Sequence, residues 1–251
     1  MATFVLVHGA WGGASVWRSF APLLREKGHE VFYVSLTGLG ERYHLGRPET
    51  NLSTHIQDVV ELAEYEDLHD IVLAGASYGG MVITGVADRI PERIAHLVYL
   101  DAFLPRDGQA LVDMDGTRGG SGGIPFEVQE DGFRVLPKMP PGVERPPGLI
   151  PRGQPVETFQ EPVRLSVPLE QRAFTRTYVK AGLGMMPGMP RGPRVDMFWE
   201  AAERTREDPA WRYFELPAYH GLYTELPATV AGILLDLVNP PQSPWFPQPG
   251  P

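Results

Sequence analysis

The chain has 251 residues, a formal net charge of −9, 43% hydrophobic and 21% charged residues, and no cysteine. The acidic balance argues against a nucleic-acid partner, and the missing thiols exclude a disulfide scaffold, a cysteine nucleophile and a cysteine-based zinc site. No apolar run approaches the ~20 residues of a membrane span, and the first residues read as a strand rather than a signal peptide. We therefore expect a soluble, cytoplasmic α/β protein without a membrane partner.

Short apolar runs alternate with segments of helical periodicity over the first hundred residues. Strands are predicted at 4–7, 31–36, from 71 to the turn at 77, and at 95–100, and helices at 16–27, from 51 onward, and after 77 to about 89. Gly28 is expected to stop the first helix and Ser53 to cap the second. This alternation predicts a mainly parallel central sheet with helices on both faces.

The composition changes after Leu104. Residues 105–171 are rich in proline and glycine and lack clear periodicity, and this length is improbable for a plain loop. We predict an inserted cap at 105–171 that covers the active-site end of the sheet, a core formed by 1–104 and 172–238, and a proline-rich tail at 239–251. The second part of the core is predicted to hold strands at 174–179 and 211–216 and helices at 196–206 and 222–238.

A Gly-x-Ser-x-Gly pattern at residues 75–79 ends the third predicted strand and leads into a helix. The pattern is typical of a sharp strand-to-helix turn, in which small neighbours let strand and helix approach and the serine takes an unfavourable backbone conformation. Such a turn holds the Ser77 hydroxyl clear of the sheet, at the positive end of the following helix. The alternative is a tight turn that happens to carry a serine.

A serine hydroxyl is a weak nucleophile, so it needs a base, and the base needs an orienting acid. In folds with this turn the chain order is serine, acid, histidine. Of the seven histidines, His220 alone lies beyond both the Ser77 turn and the predicted cap, directly after the last predicted strand. A loop at that edge of the sheet can bring His220 to Ser77.

The acid has two candidates. The usual place, after the penultimate strand, holds no carboxylate at residues 180–186. Asp101 follows the strand that comes directly after the Ser77 turn, at the same edge of the sheet, whereas Asp196 stands where a helix is predicted to begin and resembles an N-cap. We prefer Asp101 and leave Asp196 open.

Acyl transfer also needs donors aimed at a developing oxyanion. The backbone N–H of Tyr78, directly after the serine, and that of Ala10, in the bend after the first strand, are placed to supply them. Gly9 keeps this bend tight. Alternatively, residues 8–9 are only a turn that ends a strand.

Several motifs together resemble the α/β-hydrolase superfamily, and within it the branch of plant salicylate methyl esterases, hydroxynitrile lyases and bacterial carboxylesterases that include pyrethroid-type enzymes. They are residues 5–11 (VLVHGAW), 38–42 (GLGER), 51–56 (NLSTHI), 75–79, 98–105 (VYLDAFLP), 130–135 (EDGFRV) and 211–227. The resemblance implies an α/β-hydrolase fold and a hydrolase without cofactor or metal that works through Ser77, His220 and a carboxylate.

The chain departs from this branch at informative positions. Ala76 stands where the family usually has histidine before the nucleophile, and the plant members carry the acid after the penultimate strand. Hydroxynitrile lyases have lysine after the catalytic histidine and threonine after the first-strand histidine, where this chain has Gly221 and Gly9. These two glycines disfavour lyase chemistry.

The hypothesis from the sequence is a serine carboxylesterase that forms an acyl-enzyme with a medium-sized hydrophobic ester, aromatic esters included. The small-molecule ester is the expected partner, and a homodimer is left open. Candidate walls of an apolar pocket are Trp11, Tyr78 and Phe103, with Met185, Met186 and Met189 as an adaptable side. The alternatives are a tailoring enzyme on the same fold (lyase, cyclase or decarboxylase) and a small-molecule receptor with little turnover.

Overall fold

A computed structural model describes residues 1–114, 126–138, 152–188 and 196–239. The strands are β1 (Thr3–Val7), β2 (Glu30–Tyr33), β3 (Ile71–Ser77), β4 (Ile94–Ala102), β5 (Phe126–Val128), β6 (Arg134–Pro137), β7 (Gln154–Pro155), β8 (Thr175–Ala181) and β9 (Trp211–Leu216). The α-helices are α1 (Ala21–Arg25), α2 (Leu52–Tyr65), α3 (Gly79–Arg89), α4 (Leu111–Met114), α5 (Glu157–Gln160), α6 (Trp199–Glu207), α7 (Leu222–Glu225) and α8 (Pro227–Val238). Within these ranges, no helix has the length and apolar character to cross a membrane.

Six strands form one parallel sheet in the order β2-β1-β3-β4-β8-β9. Side chains alternate between its two faces: Val5 and Val7 pack into the core under α2 and α3, whereas Phe4 and Leu6 pack into the core under α1 and α8. Both faces of β1 are therefore buried, which explains its continuous apolar sequence. The predicted α/β fold with a parallel sheet is confirmed, and all six strands end at one edge.

Two segments are each predicted as one helix, and the structure divides both. A proline explains the division in each case. Residues 16–27 form a 3-10 turn at Ala14–Trp17 and then the short α1, in which Pro22 lies in the first turn. Residues 222–238 divide into α7 and α8, and Pro227 begins α8. Proline has no N–H and fits only the first turn of a helix, so each proline starts a new helix.

Asn51, not the predicted Ser53, caps α2. The Asn51 Oδ1 accepts the Thr54 N–H at 3.0 Å, and the Thr54 hydroxyl accepts the Asn51 N–H at 3.4 Å, which completes a capping box. Ser53 binds a distant partner instead: its N–H and hydroxyl donate to the Glu161 carboxylate at 2.6 Å and 2.7 Å. The negative charge of Glu161 thus lies at the positive end of α2.

The segment predicted as a cap contains a second sheet, antiparallel, in the order β5-β6-β7, together with α4 and α5. It contacts the bend after β1, where the Trp11 N–H donates to Gln154 Oε1 and the Trp11 indole N–H donates to the Val135 carbonyl, both at 2.9 Å. Residues 115–125 and 139–151 and the tail after Asn239 lie outside the described ranges. The boundaries of core, cap and tail stay a prediction.

Candidate active site

Ser77 ends β3 two residues before the start of α3 and has a φ of 54°. A left-handed backbone costs roughly 1–2 kcal/mol for a residue other than glycine, so the surrounding contacts must impose it. A Cβ on Gly75 would lie 2.6 Å from the Gly79 carbonyl oxygen. Strand and helix therefore touch at the glycines of the Gly-x-Ser-x-Gly pattern, and the half-buried Ser77 side chain stands at the apex.

Gly80, the next residue of α3, fits even more tightly against β4. A Cβ on Gly80 would lie 2.0 Å from the Phe103 carbonyl oxygen. Phe103 has little freedom to retreat, because its N–H donates to the Ser77 carbonyl at 3.1 Å. The close approach of α3 to the end of β4 therefore requires glycine.

We expect Gly80→Ala to lower the free energy of unfolding by about 3 kcal/mol, the upper part of the usual range for overpacking. The matched control is Gly232→Ala in α8, where a Cβ meets nothing within 4 Å. This control should be neutral or should stabilise by about 0.5–1 kcal/mol. Urea unfolding of the two variants measures the difference, and equal midpoints would contradict the described contact.

The bend after β1 lies against the serine. A Cβ on Gly9 would be 2.9 Å from the Ser77 Cβ and 3.5 Å from its hydroxyl oxygen, and one on Gly79 would be 2.7 Å from the Val7 carbonyl oxygen. The backbone of Ala10 follows directly, and Ala10 is only partly buried. The proposed oxyanion donors, the N–H groups of Ala10 and Tyr78, thus belong to two segments that meet at Ser77.

His8 fixes this bend and has no role in the sequence prediction beyond that of a turn residue. Its ring is fully buried, its Nε2 accepts the Leu36 N–H at 3.1 Å and its Nδ1 bonds to the Gly9 carbonyl at 2.7 Å. A backbone N–H can only donate, so Nε2 is unprotonated and Nδ1 carries the proton. Burial lowers the pKa of His8 from 6.5 to about 4, which keeps the ring neutral.

His220 contacts Asp101. The distance from His220 Nδ1 to Asp101 Oδ2 is 2.7 Å, and the two side chains are 22% and 1% exposed. Asp101 comes directly after Leu100, the last residue of β4 that pairs with β8. Its φ of 44° makes it a second strained residue at this edge. Because a carboxylate only accepts, the proton lies on His220 Nδ1, and Nε2 is left as an acceptor.

The second candidate acid, Asp196, pairs with Lys180 instead. Its Oδ2 lies 2.8 Å from Lys180 Nζ, and its Oδ1 accepts the Phe198 N–H at 2.9 Å. Helix α6 begins at Trp199, so the predicted helix start at Asp196 is wrong. Of the two carboxylates, Asp101 is the one in contact with His220.

Lys180, which the sequence prediction passes over, also reaches Asp101. Its Nζ donates to Asp101 Oδ1 at 2.9 Å, and the Ala181 N–H donates to the same oxygen at 3.1 Å. Burial alone lowers the pKa of Lys180, but the carboxylates of Asp101 and Asp196 outweigh it and raise the pKa above its ordinary value. The signal available in the sequence was a lysine next to the apolar Tyr178, Val179 and Ala181 at the end of a predicted strand.

The candidate pocket walls differ in accessibility. Trp11 is partly buried, has a φ of 57° and packs against the rings of Phe126 and Phe159 at 6.0 Å and 5.5 Å. Phe103 is 3% exposed and packs against Phe198 at 4.9 Å, so it lies in the core. Trp11 is therefore the more accessible of these two, and the substrate contacts of both stay a prediction.

The Tyr78 side chain is fully buried and lies 2.8 Å from His55 Nδ1 through its hydroxyl. Of the three methionines, Met185 accepts the His220 N–H through its carbonyl at 3.4 Å, Met186 is partly buried, and Met189 lies outside the described residues.

The structure thus brings Ser77 and the Gly9 bend together and, at the same edge, joins His220 to Asp101. Among the described residues, no cluster of three or more His, Asp or Glu side chains is arranged to hold a metal ion.

The chain is an α/β protein with a site of the nucleophile-elbow type. It has six parallel strands and a strained serine between strand and helix, and a histidine–carboxylate pair lies at the same edge of the sheet. The model of the alpha/beta hydrolase family matches residues 4–250. The chain belongs to the alpha/beta hydrolase family, as its sequence motifs predict.

Curated relatives match part of the chain. A carbendazim-hydrolysing esterase from Nocardioides sp. (strain SG-4G) is 54% identical over 112 residues, which cover 45% of this chain and 46% of that protein. An alpha-hydroxynitrile lyase from Arabidopsis thaliana is 36% identical over 103 residues, covering 41% of this chain and 40% of that protein. The matches thus span somewhat less than half the length of these relatives.

Solved structures match nearly the whole chain. A pyrethroid hydrolase from Sphingobium faniae JZ-2 superposes with a TM-score of 0.72 and 21% identity, covering 96% of this chain and 98% of that chain. An extracellular alpha/beta-hydrolase from a Paenibacillus species superposes with a TM-score of 0.66 and 23% identity, covering 94% and 98%. At such identities the likeness establishes the shared fold alone.

Proposed function

We propose that this protein hydrolyses carboxylic esters, with Ser77 as the nucleophile, His220 as the base and Asp101 as the orienting acid. The observation that carries the proposal is the 2.7 Å contact between His220 Nδ1 and Asp101, at the sheet edge where the strained Ser77 meets the Gly9 bend. The similarity to a carbendazim-hydrolysing esterase supports the reaction class. Nothing in this step requires a cofactor.

In the proposed acylation, the Ser77 Oγ attacks the ester carbonyl carbon while His220 Nε2 takes the hydroxyl proton. The carbonyl oxygen becomes an oxyanion, which the N–H groups of Ala10 and Tyr78 stabilise as preorganised donors. Collapse of the tetrahedral intermediate breaks the ester C–O bond, and His220 returns the proton to the departing alcohol. The products of this half-reaction are the free alcohol and an ester of Ser77.

Water completes the cycle in the second half. His220 takes a proton from water, the resulting hydroxide attacks the acyl-enzyme, and the same N–H groups hold the second oxyanion. The acid leaves, and Ser77 regains its proton from His220. Asp101 stays ionised throughout and stabilises the imidazolium that forms in each half.

The proposed substrate is a medium-sized hydrophobic ester, aromatic esters included. Partly buried Trp11 and Phe126 offer apolar surface next to the proposed oxyanion donors, and the buried Phe159 packs behind them. The name of one similar protein, a carbendazim-hydrolysing esterase, agrees with an ester as the substrate. The ester itself is the proposed partner of the site.

The test joins turnover of p-nitrophenyl butyrate with labelling by a p-nitrophenyl alkylphosphonate. We expect the wild type to hydrolyse the ester, and the phosphonate to release about one p-nitrophenolate per chain as it inactivates the enzyme. Mass spectrometry should place the adduct on Ser77. Ser77→Ala should show neither turnover nor label, whereas Ser15→Ala, which removes an exposed serine, should behave as the wild type.

Other outcomes would contradict the proposal. Turnover without a label on Ser77 would mean that another group attacks the ester. Absence of both turnover and label would favour a tailoring enzyme or a small-molecule receptor, and retained binding of an ester analogue without acylation would favour the receptor.

A further inference from the structure

Two buried carboxylates share one buried lysine at the end of β8. Lys180 Nζ lies 2.9 Å from Asp101 Oδ1, 2.8 Å from Asp196 Oδ2 and 2.8 Å from the Ala181 carbonyl oxygen. Side-chain exposure is 4% for Lys180, 1% for Asp101 and 6% for Asp196. All three hydrogen-bonding directions of the ammonium are thus occupied. Burying such a group is costly unless its partners are well placed.

The charges alternate along this chain of contacts. Asp196, Lys180 and Asp101 carry −1, +1 and −1, and His220 follows as a neutral ring that becomes an imidazolium during the proposed reaction. The three buried residues therefore present one net negative charge to His220. Without Asp196 that net charge would be zero, because the ammonium would offset Asp101 alone.

We propose that Lys180 and Asp196 are positioning residues for the Asp101–His220 pair. This inference rests on the proposed function. Lys180, together with the Ala181 N–H, holds Asp101 Oδ1, so that Oδ2 is turned to His220. Asp196 compensates the charge of Lys180, so that Asp101 keeps its full effect on the imidazolium.

Asp196 also reaches His220 by a second route. Its Oδ1 accepts the Phe198 N–H at 2.9 Å. The Phe198 ring stacks on the His220 imidazole with a centroid distance of 4.9 Å and an interplanar angle of 8°. Asp196 therefore fixes the backbone of the residue whose ring supports the imidazole.

Other charged groups near this cluster are more exposed. Lys180 and Asp196 line a small cavity with Glu203, Arg206 and Glu215. Arg206 pairs with both glutamates, at 2.8 Å and 2.6 Å, and all three side chains are 40–47% exposed, so solvent screens them.

Two tyrosines also face the cluster. Burial raises the pKa of Tyr178 well above its ordinary value and that of Tyr213 to about 12, so both stay neutral in the working range. The cavity volume of about 30 Å³ admits a water but no ester.

The test compares the pH dependence of kcat/KM for p-nitrophenyl butyrate in two variants. Asp196→Asn changes the net charge of the cluster from −1 to 0. The imidazolium then loses stabilisation, so the acidic limb should move to lower pH by about one unit and the plateau of kcat should fall on the order of tenfold. Adding Lys180→Met restores the net charge to −1, and the double variant should return the acidic limb to within about 0.3 units of the wild type.

The return of the acidic limb in the double variant separates a positioning role from structural support. In a purely structural cluster, a second substitution would not restore the pH profile. Glu203→Gln, which removes a negative charge from the same cavity wall, is the matched control and should not move the limb. Asp196→Ser removes the same charge and leaves space for a water, so it repeats the comparison if the asparagine variant does not fold.

Failure of the inference is distinguishable from failure of the proposed function. Suppose that Ser77 takes the phosphonate label but the acidic limb of kcat/KM stays within about 0.3 pH units of the wild type in Asp196→Asn. Lys180 and Asp196 are then not positioning residues. The same holds if the limb moves in Asp196→Asn but the double variant does not restore it. If Ser77 takes no label in the wild type, the proposed function itself is wrong.

Discussion

Replacing Asp101 by asparagine should lower kcat for p-nitrophenyl butyrate by about 10⁴-fold, the scale known for this change in a serine triad, while the protein stays folded. The structure dictates how the new amide would lie. Lys180 Nζ and the Ala181 N–H both donate to Oδ1, so the amide oxygen must take that place. The amide NH2 then faces His220 Nδ1, which has to become an acceptor. The proton moves to Nε2, and the ring can no longer take the proton of Ser77.

Steady-state kinetics on Asp101→Asn and Asp196→Asn, with thermal unfolding as the check on folding, measures this effect. Asp196→Asn should lose on the order of tenfold, because it acts only through its neighbours. A loss of less than tenfold in a folded Asp101→Asn would show that another group orients His220. A steep loss in Asp196→Asn alone would make Asp196 the acid after all.

The fold and the Ser77 turn could be predicted because their signals are local. The strands are continuous apolar runs, and the Gly-x-Ser-x-Gly pattern lies directly between a strand and a helix, where the glycines permit the close contact. His220 followed from chain order after the last strand. The divisions of the helices at Pro22 and Pro227 are equally local, and a stricter use of the proline rule would have found them.

The choice of acid could not be settled from the sequence, because tertiary contacts decide it. Asp101 and Lys180 are 79 positions apart, and Asp101 and His220 are 119 apart. A strand order that places β8 between β4 and β9 brings all three together. Sequence position favoured Asp101 but left Asp196 open, since both precede His220.

The bend after β1 shows the same limit. Trp11 is held by Gln154, which lies 143 positions away and is itself fully buried, with its amide donating to Thr158 Oγ1 at 2.8 Å. Nothing near Gln154 in the sequence marks it as a partner of the site. The contact ties the geometry of the proposed oxyanion donors to the predicted cap, because Ala10 directly precedes Trp11.

Stability should fall steeply as the pH drops from about 6 to 4, because two histidines are buried in neutral form. Burial lowers the pKa from 6.5 to about 4 for His8 and to about 3 for His55. Between these values and 6.5 the unfolded chain binds a proton at each position that the folded chain does not, so the free energy of unfolding rises with pH. Two such protons give a slope of about 2.7 kcal/mol per pH unit, and His29 and His96, whose pKa values burial also lowers, add to it.

Urea unfolding at half-unit steps between pH 7 and 4.5 measures the slope, and a variant assigns it. In His55→Gln the slope should fall by about one proton, or about 1.4 kcal/mol per pH unit, because Gln does not titrate. Its amide can still donate to the Thr37 carbonyl and accept from the Tyr78 hydroxyl, the two groups that contact His55. Carboxylates whose pKa is lowered in the fold, such as Glu41 and Asp88, lose their contribution mainly below this range.

A flat profile from pH 6 to 4.5 would mean that His8 and His55 reach solvent in the folded protein. The Gly9 bend would then lack the neutral imidazole that holds it, and the proposed oxyanion donors would have no fixed support.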